Sequence, residues 1–546
     1  MTPRVENAGA AGGHIVMLPF MAHGHLIPFL SLARILHRHT DFTITLATTP
    51  LNVQYLRSTL SASGGNGDIR LAELSFCSAD HDLPPGMENT ENLPLDKLIL
   101  LFNLSTSLAR PFEQLLLQIE ATEGQKPTCI VFDVLFGWSV EMARRLGIKC
   151  FSFITGGAYG TLAYISLWQH LPHRLTDSDE FSLAGFPQHH RFERSQLQPF
   201  LRAADGTDPW SMFFQVQISL SLNCDGWLCN SMEEIEPLGF KLMRDYLKLP
   251  VWPIGPLIPS SMLGDKFGSA SSTHGAVSTE RAGKKLGISP EKCTEWLSTH
   301  PPDSVLYISF GSQNTISASQ MMALATGLEA SGKPFVWVIR PPLGFDIKGE
   351  FRLEWLPEGF EERVSANNKG LLVRTWAPQP EILSHRSTRA FVSHCGWNSV
   401  MESLSQGVPI IGWPMAAEQS YNAKMLAEEM GVCIELTRGV ENGLDANKVQ
   451  RVIEVVMEDT GKGEEMKRKA VEIGKKMGAA MMSAGEVKGS SLRALGEFVA
   501  AARHACHVLA LEALPGVTIP LGQTISHFPD QILDVMCREV GRGLSD

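Results

Sequence analysis

The sequence lacks several features that would assign it to a class of protein at once. Its ten cysteines include no CxxC pair, and 546 residues far exceed the small secreted domains that depend on disulfide frameworks. No run of about 18 apolar residues occurs, so no integral membrane segment is expected. The first apolar stretch, residues 14–20, is interpreted as a buried strand and not as a signal peptide. We therefore expect a cytoplasmic protein with reduced thiols.

Positive charge is also scarce. The chain has 47 Lys and Arg against 58 Asp and Glu, which gives a formal net charge of −11. Nucleic-acid binding requires a basic surface, so no nucleic-acid partner is expected. The first apolar stretch leads into AHGHLIP and not into GxGxxG, which leaves an NAD-type oxidoreductase as a weak alternative. The absence of GxxxxGK[ST] leaves phosphoryl transfer without support.

Short apolar runs alternate with helical patterns along the chain. Residues 14–20, 26–39 and 42–48 are predicted as a strand, a helix and a strand, a βαβ opening that is typical of a parallel sheet. Further strands are predicted at 129–133, which ends in Asp133, and at 149–155. With 44% hydrophobic and 19% charged residues, the chain has the composition of a folded globular protein.

The alternation breaks once and then restarts, which predicts two domains. The fold class we predict is α/β, with two doubly wound, Rossmann-like parallel sheets facing each other across a cleft. Ligands are expected outside the carboxyl ends of the strands. The predicted divisions are an N-terminal domain at 1–250, a Gly-, Ser- and Pro-rich linker at 251–287, a C-terminal domain at 288–485, a helix packing back at 486–503 and an atypical extension at 504–546.

Residues 376–419, named here the signature box, contain the pattern of an anion site. The strand AFVSH leads through the turn CGWNS into the helix VMESLSQG, and a helix N-terminus after a glycine turn attracts phosphate. His394 ends the strand and can donate to a phosphate oxygen. Asn398 and Ser399 are good N-terminal capping residues. Glu402, one turn further, suits a ribose diol.

The rest of the signature box predicts groups for a base and a sugar. Trp376 can stack on a base, and Gln379 can bond its edge. Glu418 and Gln419 follow another strand and can bond sugar hydroxyls. Taken singly, such a tryptophan or histidine is more often a core residue and a helical glutamate is usually solvated. Together, in one register, they predict a nucleotide-sugar site.

The signature box resembles that of the plant secondary-product UDP-glycosyltransferases, and the wider resemblance covers roughly residues 14–500. It implies the two-domain GT-B fold, with an acceptor-binding N-terminal domain at 1–250 and the UDP-sugar held mainly by a UDP-sugar-binding C-terminal domain at 288–485. It places uracil on Trp376, the ribose on Glu402 and the nucleotide on Gln379. For the diphosphate it implies Ser312 of the SFGSQ turn, His394, Asn398 and Ser399. For the sugar it implies Trp397, Glu418 and Gln419. Ala377 and Gly396, in the same box, are also implied to bind the UDP-sugar.

The loop MAHGHLIP supplies candidates for a general base. An acceptor hydroxyl must lose a proton as it attacks, and histidine, with a pKa of about 6.5, suits that task. The resemblance favours His25, which follows a glycine at the start of the first helix, while His23 stays as the alternative. Asp133 is predicted at the same sheet edge and would orient the base, although it could instead only cap the following helix. Thr155 resembles a family threonine near the sugar 6-hydroxyl.

These observations, together with what the resemblance implies, predict an inverting glucosyltransferase. Glucose would pass from UDP-glucose to a hydroxyl of a small lipophilic acceptor, whether a flavonoid, another phenolic, a terpenoid or a glycoside of these. We expect no cofactor and no metal. The expected partners are the UDP-sugar and the small-molecule acceptor, and we expect the enzyme to be a monomer. A non-catalytic or hydrolytic UDP-sugar-binding protein is the alternative. The acidic triplet 177–179, a DxD pattern seen in metal-dependent transferases, is interpreted as a solvated loop.

Overall fold

Two parallel sheets organise the part of the chain that the structure describes. The computed structural model describes residues 12–503 apart from 63–68, 82, 85, 94–96, 264–285, 440–442 and 485–486. The predicted extension at 504–546 and most of the predicted linker therefore lie outside the described residues.

The strands of the first half form one sheet and a short hairpin. They are β1 His14–Leu18, β2 Thr43–Thr48, β3 Ile69–Glu73, β4 Cys129–Asp133, β5 Lys149–Ile154, β6 Glu180–Phe181, β7 Phe192–Glu193, β8 Trp227–Cys229 and β9 Val251–Pro253. Within the described residues the first sheet has seven parallel strands in the order β3-β2-β1-β4-β5-β8-β9, and β6 pairs with β7 in an antiparallel hairpin.

The second sheet follows the undescribed segment. Its strands are β10 Val305–Ser309, β11 Phe335–Ile339, β12 Gly370–Arg374, β13 Thr388–Ser393, β14 Ile410–Gly412 and β15 Cys433–Glu435, and a short antiparallel pair, β16 Ser483–Ala484 and β17 Val487–Lys488, follows. The described strands of this sheet are parallel in the order β12-β11-β10-β13-β14-β15. Two doubly wound sheets are the architecture that the alternation of the sequence predicts.

Helices cover both faces of the sheets. In the first half they are α1 His23–His39, α2 Pro50–Ala62, α3 Leu98–Leu104, α4 Ala109–Glu123, α5 Trp138–Leu146, α6 Ala158–His170, α7 Pro199–Ala203, α8 Pro209–Ser221 and α9 Pro237–Leu247. In the second half they are α10 Pro290–Ser298, α11 Ala318–Ser331, α12 Phe360–Ala366, α13 Gln379–Ser384, α14 Trp397–Ser405, α15 Gln419–Glu428, α16 Ala446–Val456, α17 Gly461–Ala480 and α18 Ser490–Arg503. No helix among the described residues is both long and apolar enough to cross a bilayer.

The central strands are apolar along their whole length because helices cover both of their faces. Every residue of β1 and of β4 is buried, and the two strands pair in parallel from Ile15 opposite Cys129 to Leu18 opposite Phe132. This register brings the carboxyl end of β1 beside Asp133. The helix that follows β1 therefore begins next to a buried carboxylate.

Three predicted boundaries were wrong by a few residues. The first helix begins at His23 and not at residue 26, because Ala22 has extended geometry and its carbonyl already accepts the amide N–H of Leu26 at 2.9 Å. The predicted linker starts too early, since Val251–Pro253 is the edge strand β9, an edge being where proline is tolerated in a sheet. Helix α14 begins at Trp397, within the predicted turn CGWNS and three residues before the predicted helix VMESLSQG.

The last described helix returns to the first sheet. On α18, the Phe498 ring centroid lies 5.1 Å from that of Phe151 and 5.8 Å from that of Trp252, and both contacts are edge-on. Burial of aromatic rings in such pairs stabilises a contact by about 0.5–1.5 kcal/mol beyond the area they bury. The chain thus crosses from the second sheet back to the first.

Candidate active site

A cavity of about 320 Å³ lies where the two sheets face each other. In each sheet the strand order reverses beside the central strand, between β1 and β4 in the first and between β10 and β13 in the second. Such switch points leave a crevice at the carboxyl ends of the strands. The cavity is lined by the segments that follow these four strands. The cavity therefore lies where the sequence predicts that a ligand binds, outside the carboxyl ends of the strands.

His25 and Asp133 form a close pair in this cavity. Nδ1 of His25 lies 2.6 Å from Oδ2 of Asp133, whose side chain is 1% exposed, while 29% of the His25 side chain is exposed. The other oxygen, Oδ1, accepts the amide N–H of Leu135 at 3.1 Å and caps the short 3₁₀ turn that follows β4. Asp133 thus contacts His25 and also caps the turn that follows, while its role in orienting a base stays a prediction.

The surroundings of His25 change its proton affinity. Burial alone would disfavour the charged imidazolium, but the negative charge and hydrogen bond of Asp133, with Glu418 further away, raise the His25 pKa above its ordinary value. The hydrogen bond to Asp133 also fixes the tautomer of the neutral ring, with the proton on Nδ1. Nε2 is then the nitrogen that can accept a proton.

His23 is held differently although it is only two residues away. Residues i and i+2 of a helix do not face each other, so the two imidazoles of α1 point in different directions. His23 is 8% exposed, its Nδ1 lies 2.9 Å from Oε2 of Glu91, and its ring packs on Tyr55 with centroids 4.3 Å apart. Both histidines contact the cavity, but only His25 combines an acidic partner with substantial exposure.

Pro28 explains a contact across the cleft. It lies inside α1 and has no N–H, so the carbonyl of Gly24, four residues earlier, lacks its usual helical donor. Nδ2 of Asn398 donates to that carbonyl at 3.1 Å. The structure thus gives the Asn398 side chain an interdomain partner on the helix that carries His25. The predicted contact of Asn398 with a diphosphate stays a prediction.

Residues 311–314, named here the 311–314 turn, follow β10 and pack against His394. Gly311 has φ of 75°, and a Cβ there would come within 2.7 Å of Nε2 of His394. A Cβ on Gly396 would come within 2.4 Å of the same atom. Glycine is therefore needed on both sides of the ring. Ser312, predicted for the diphosphate, is in this turn and lines the cavity.

Burial, with the nearby positive charge of Arg340, lowers the His394 pKa to about 4. The ring is therefore neutral at physiological pH and carries one N–H. Its Nδ1 has no hydrogen-bond partner among the described residues. A neutral imidazole keeps one N–H, so beside a helix N-terminus it can donate one hydrogen bond to an anion.

The N-terminus of α14 is open. Gly396 is its N-cap residue and offers no side chain, so Asn398 and Ser399 lie within the first turn and do not cap it. The first amide groups of a helix without a side-chain cap are available to an anion, and the helix dipole favours negative charge there. The prediction that Asn398 and Ser399 cap this helix was wrong, but the feature they were meant to mark, a helix N-terminus at the cavity, is present.

Gln379 links several box residues to each other. Its Nε2 donates to Glu402 at 2.7 Å and to Oγ of Ser399 at 3.2 Å, and its Oε1 accepts from the Tyr307 hydroxyl at 3.2 Å. Glu402 is 1% exposed and, unlike the other predicted donor-site residues, does not line the cavity. Trp376, half-buried, and Ala377 do line it. The ribose and nucleotide contacts proposed for Glu402 and Gln379 stay predictions.

The residues predicted for the sugar are held by backbone contacts. Nε1 of Trp397 donates to the Asn230 carbonyl at 2.6 Å, which ties α14 to the first domain. Oε1 of Gln419 accepts the amides of Met415 and Ala416 at 3.0 and 2.9 Å. Glu418, buried, has a raised pKa because burial disfavours its charge. These three side chains and Thr155 line the cavity.

Two residues near the cavity have no individual role predicted from the sequence, although residues 188–200, which include Gln198, are a plausible acceptor wall. Oε1 of Gln198 accepts the amide of Ala417 at 3.0 Å, and its Nε2 donates to the Tyr164 hydroxyl at 3.1 Å. Arg340 donates to backbone carbonyls of the 311–314 turn. Neither residue belongs to a motif, so the only signal was position: Arg340 directly follows a strand that ends beside the cavity.

The wall opposite the signature box is apolar. Phe102, Tyr164 and Phe214 line it together with aliphatic residues of α6 and α8, and Phe102 and Phe214 have ring centroids 5.6 Å apart. Among the described lining residues none is lysine or arginine. The triplet 177–179 is exposed and is not part of the lining.

Two facing parallel-sheet domains, with an open helix N-terminus on one side of a cleft and a histidine–aspartate pair on the other, are the arrangement of the GT-B glycosyltransferases. A family model described as "UDP-glucoronosyl and UDP-glucosyl transferase" matches residues 286–470, and one described as "Glycosyltransferase, N-terminal domain" matches residues 13–259. The chain is 41% identical to UDP-glycosyltransferase 92A1 of Arabidopsis thaliana over 492 residues, which cover 89% of this chain and 96% of that protein.

Two further comparisons agree. Crocetin glucosyltransferase 3 of Crocus sativus is 44% identical over 460 residues, which cover 82% of this chain and 91% of that protein. The structure of Phytolacca americana UGT2 complexed with UDP-2fluoro-glucose and pterostilbene matches with a TM-score of 0.69 and 26% identity, covering 90% of this chain and all of that one (100%). The chain belongs to the plant UDP-glycosyltransferase family. It is a UDP-glycosyltransferase that acts on small molecules, and the predicted family, fold class and enzyme class are confirmed.

Proposed function

We propose that this enzyme transfers glucose from UDP-glucose to a hydroxyl group of a small lipophilic acceptor with inversion, and that His25 is the general base oriented by Asp133. The observation that carries the proposal is the 2.6 Å contact between His25 Nδ1 and Asp133 Oδ2 in a cavity shared with the signature box. A positioned base of this kind contributes about a hundred- to ten-thousand-fold to the rate.

The proposed reaction is a single displacement. The acceptor O–H gives its proton to Nε2 of His25, while its oxygen forms a bond to the anomeric carbon of glucose. The bond from that carbon to the phosphate oxygen breaks, and its electron pair leaves with UDP. Attack from the face opposite UDP inverts the anomeric configuration, as in inverting glycosidases with an acceptor hydroxyl in place of water. Asp133 stabilises the imidazolium that results.

Fixed protein groups would stabilise the leaving diphosphate. The N-terminus of α14 presents amide groups and a favourable dipole, and neutral His394 can donate one N–H. Because these groups are in place before reaction, we propose that the enzyme needs no metal and no cofactor. Turnover that stays within twofold in excess EDTA would agree with this proposal, and turnover abolished by EDTA and restored by a divalent cation would contradict it.

The proposed donor sugar is glucose. Glu418 and Gln419 lie at the cavity, as does Trp397, and the family resemblance associates a terminal Gln in the signature box with glucose. Crocetin glucosyltransferase 3, by its name, transfers the same sugar. Competition between UDP-glucose and UDP-galactose in one reaction, read by product mass and chromatography, would test this choice.

The proposed acceptor is neutral and lipophilic. Phe102, Tyr164 and Phe214 give the acceptor wall a large apolar area, and buried apolar contact is what binds such ligands. The nearby acids Asp133 and Glu418 would repel an anionic acceptor. Flavonoids, other phenolics, terpenoids and glycosides of these all fit this description.

We also propose that the enzyme is a cytoplasmic monomer. The eight cysteines in the described part of the chain are free, and seven of them are buried. Free thiols are typical of a reducing compartment. Light scattering of the purified chain and the distribution of a fluorescent fusion would test the two statements separately.

The decisive experiment measures UDP release from UDP-glucose with and without a pool of phenolic and terpenoid acceptors. We expect release that depends on acceptor, and a fall of about a hundredfold or more in His25→Ala. His39→Ala, the same change at the exposed end of the same helix, is the control and should keep wild-type turnover. UDP release that is the same with and without acceptors would indicate hydrolysis. UDP release that is retained in His25→Ala but lost in His23→Ala would show that His23 is the base.

A further inference from the structure

Arg340 directly follows β11 and lies beside the 311–314 turn. Its Nη1 donates to the Ser312 carbonyl at 2.7 Å, and its Nη2 donates to the Asn314 carbonyl at 2.6 Å and also to the Gly311 carbonyl. One guanidinium therefore binds three backbone carbonyls of a single turn. Its planar fork of donors makes this possible, which a single ammonium group cannot reproduce.

The turn contacts the cavity and Arg340 does not. All four residues 311–314 line the cavity, whereas Arg340 is outside the lining and is partly buried behind the turn. Carbonyl oxygens that faced a cavity would repel a phosphate. Arg340, which is outside the lining, holds three carbonyls of the turn on itself and so fixes the conformation of the turn beside His394.

Arg340 also provides the positive charge that the cavity lining lacks. No lysine or arginine occurs among the described lining residues, yet the diphosphate of a UDP-sugar is strongly anionic. Burial lowers the Arg340 pKa to about 10, with Glu91 and Tyr307 opposing the change, so the guanidinium stays charged at neutral pH. Its field reaches His394, where it contributes to the low pKa of that ring.

The turn also connects to the first domain. Nε2 of Gln313 donates to Oγ1 of Thr90, the residue before Glu91. Glu91 in turn lies beside His23 on α1. The conformation that Arg340 imposes on the turn is thus shared with the segment that supports the start of α1, so a displaced turn would disturb both sides of the cavity.

On the basis of the proposed function, we propose that Arg340 is a positioning residue for the diphosphate of the UDP-sugar. It keeps the 311–314 turn in its binding conformation through three carbonyls, and it stabilises the anion from behind the turn with its charge. It does not touch the reacting atoms. A residue with a merely structural role would instead support the whole nucleotide site equally, base and ribose included.

The test compares the dissociation constants of UDP and of uridine, measured by calorimetry and by NMR titration, for wild type, Arg340→Met and Arg340→Lys. Arg340→Met keeps the length of the side chain but loses the charge and all three donations. We expect UDP to bind roughly ten- to a hundred-fold more weakly while uridine changes less than about threefold, since hydrogen bonds from charged groups are the stronger ones. Arg340→Lys should retain part of the preference for UDP. Arg352→Met, an exposed arginine in the same domain, is the matched control.

A second measurement reads the charge directly. In Arg340→Met, the His394 pKa followed by NMR should rise from about 4, because a neighbouring positive charge has been removed. An unchanged ratio of UDP to uridine affinity in Arg340→Met would overturn the proposal, whether both affinities stay the same or both fall by the same factor. If Arg340→Met fails to fold, the ratio in Arg340→Lys decides in its place. Wild-type protein that binds no UDP would instead overturn the proposed function, and the two failures are thus distinguishable.

Discussion

The proposed acceptor end of the cavity, with His25 and Asp133, and the proposed diphosphate end, with His394 and the 311–314 turn, each contain one histidine, and the two histidines differ in their pKa. A paired carboxylate raises the His25 pKa above its ordinary value. Burial and the charge of Arg340 lower the His394 pKa to about 4. Environments that push two like groups apart in pKa identify their separate tasks. A ring that gains a proton readily suits a base, and a ring that stays neutral suits a hydrogen-bond donor.

The two ends also differ in how their geometry is fixed. At the acceptor end, one side-chain contact orients His25, while the surrounding wall is apolar. At the diphosphate end, backbone groups dominate: the N-terminus of α14, the 311–314 turn and two glycines packed on His394. Changes at the acceptor end should therefore alter turnover, and changes at the diphosphate end should alter donor binding.

The largest effect is expected for Asp133→Asn. The amide can still cap Leu135, but if it donates to Nδ1 of His25 it favours the tautomer with the proton on Nε2, which cannot act as a base. We expect kcat to fall by roughly a hundred- to ten-thousand-fold, with the KM for UDP-glucose little changed. Acceptor-dependent UDP release provides the measurement. Asp208→Asn, the same change at the N-cap of α8, is the control, and a kcat for Asp133→Asn within threefold of wild type would contradict the assignment.

The next effect concerns the diphosphate end. Gly396→Ala brings a Cβ within 2.4 Å of Nε2 of His394, which is well inside van der Waals contact. The backbone of Gly396 has an ordinary φ of −63°, so the strain comes from crowding alone. We expect the KM for UDP-glucose to rise roughly ten- to a hundred-fold because the ring and the helix N-terminus are displaced. Gly496→Ala, in open space on α18, is the control and should leave the KM for UDP-glucose unchanged. An unchanged KM in Gly396→Ala would show that His394 does not contact the donor.

More elements of the diphosphate end than of the acceptor end could be placed from the sequence. The order strand, glycine turn and helix is local, so His394 and Gly396 could be placed from a few consecutive residues, and the start of α14 to within three residues. Local order does not reveal tertiary partners. Gln379 bonds to Glu402, and Asn398 bonds to a carbonyl that Pro28 leaves free, 374 residues away from it.

The acceptor end depends on contacts between distant segments, which explains why less of it could be predicted. The pairing of His25 with Asp133 followed from the rule that parallel strands end at one edge. Gln198 follows no such rule, because it comes from an irregular segment and reaches Ala417, 219 residues further on. An aromatic residue such as Phe102 is equally compatible with the core and with a binding wall until its neighbours are known.

A smaller effect is expected in the pH dependence of kcat/KM. The base must be neutral, so activity is lost as pH falls through the raised His25 pKa, and the acid limb should lie above the usual histidine value of about 6.5. The contribution of the pair to stability has the opposite dependence. It is fully present below the unfolded-state pKa and is lost as pH rises through the folded-state pKa. In Asp133→Asn the acid limb of the residual activity should lie at lower pH than in wild type. An acid limb at the same pH in both proteins would mean that it does not report the His25 pKa.

The smallest effect is expected for Gln198, which bonds to Tyr164 of the apolar wall and to Ala417 next to Glu418. Ala417 has φ of 50°, an unfavourable value for a residue with a side chain, and its amide is held by Oε1 of Gln198. Gln198→Ala removes this bond and the one to Tyr164, so we expect a loss of about three- to tenfold in kcat/KM, shared between the KM values of donor and acceptor. Gln198→Glu keeps the bond to Ala417 but cannot donate to Tyr164, and Tyr164→Phe removes only the hydroxyl. If these two variants raise the acceptor KM and leave the donor KM unchanged, Gln198 serves the two ends through separate bonds, whereas equal changes in both KM values would mean that the ends of the cavity are not independent.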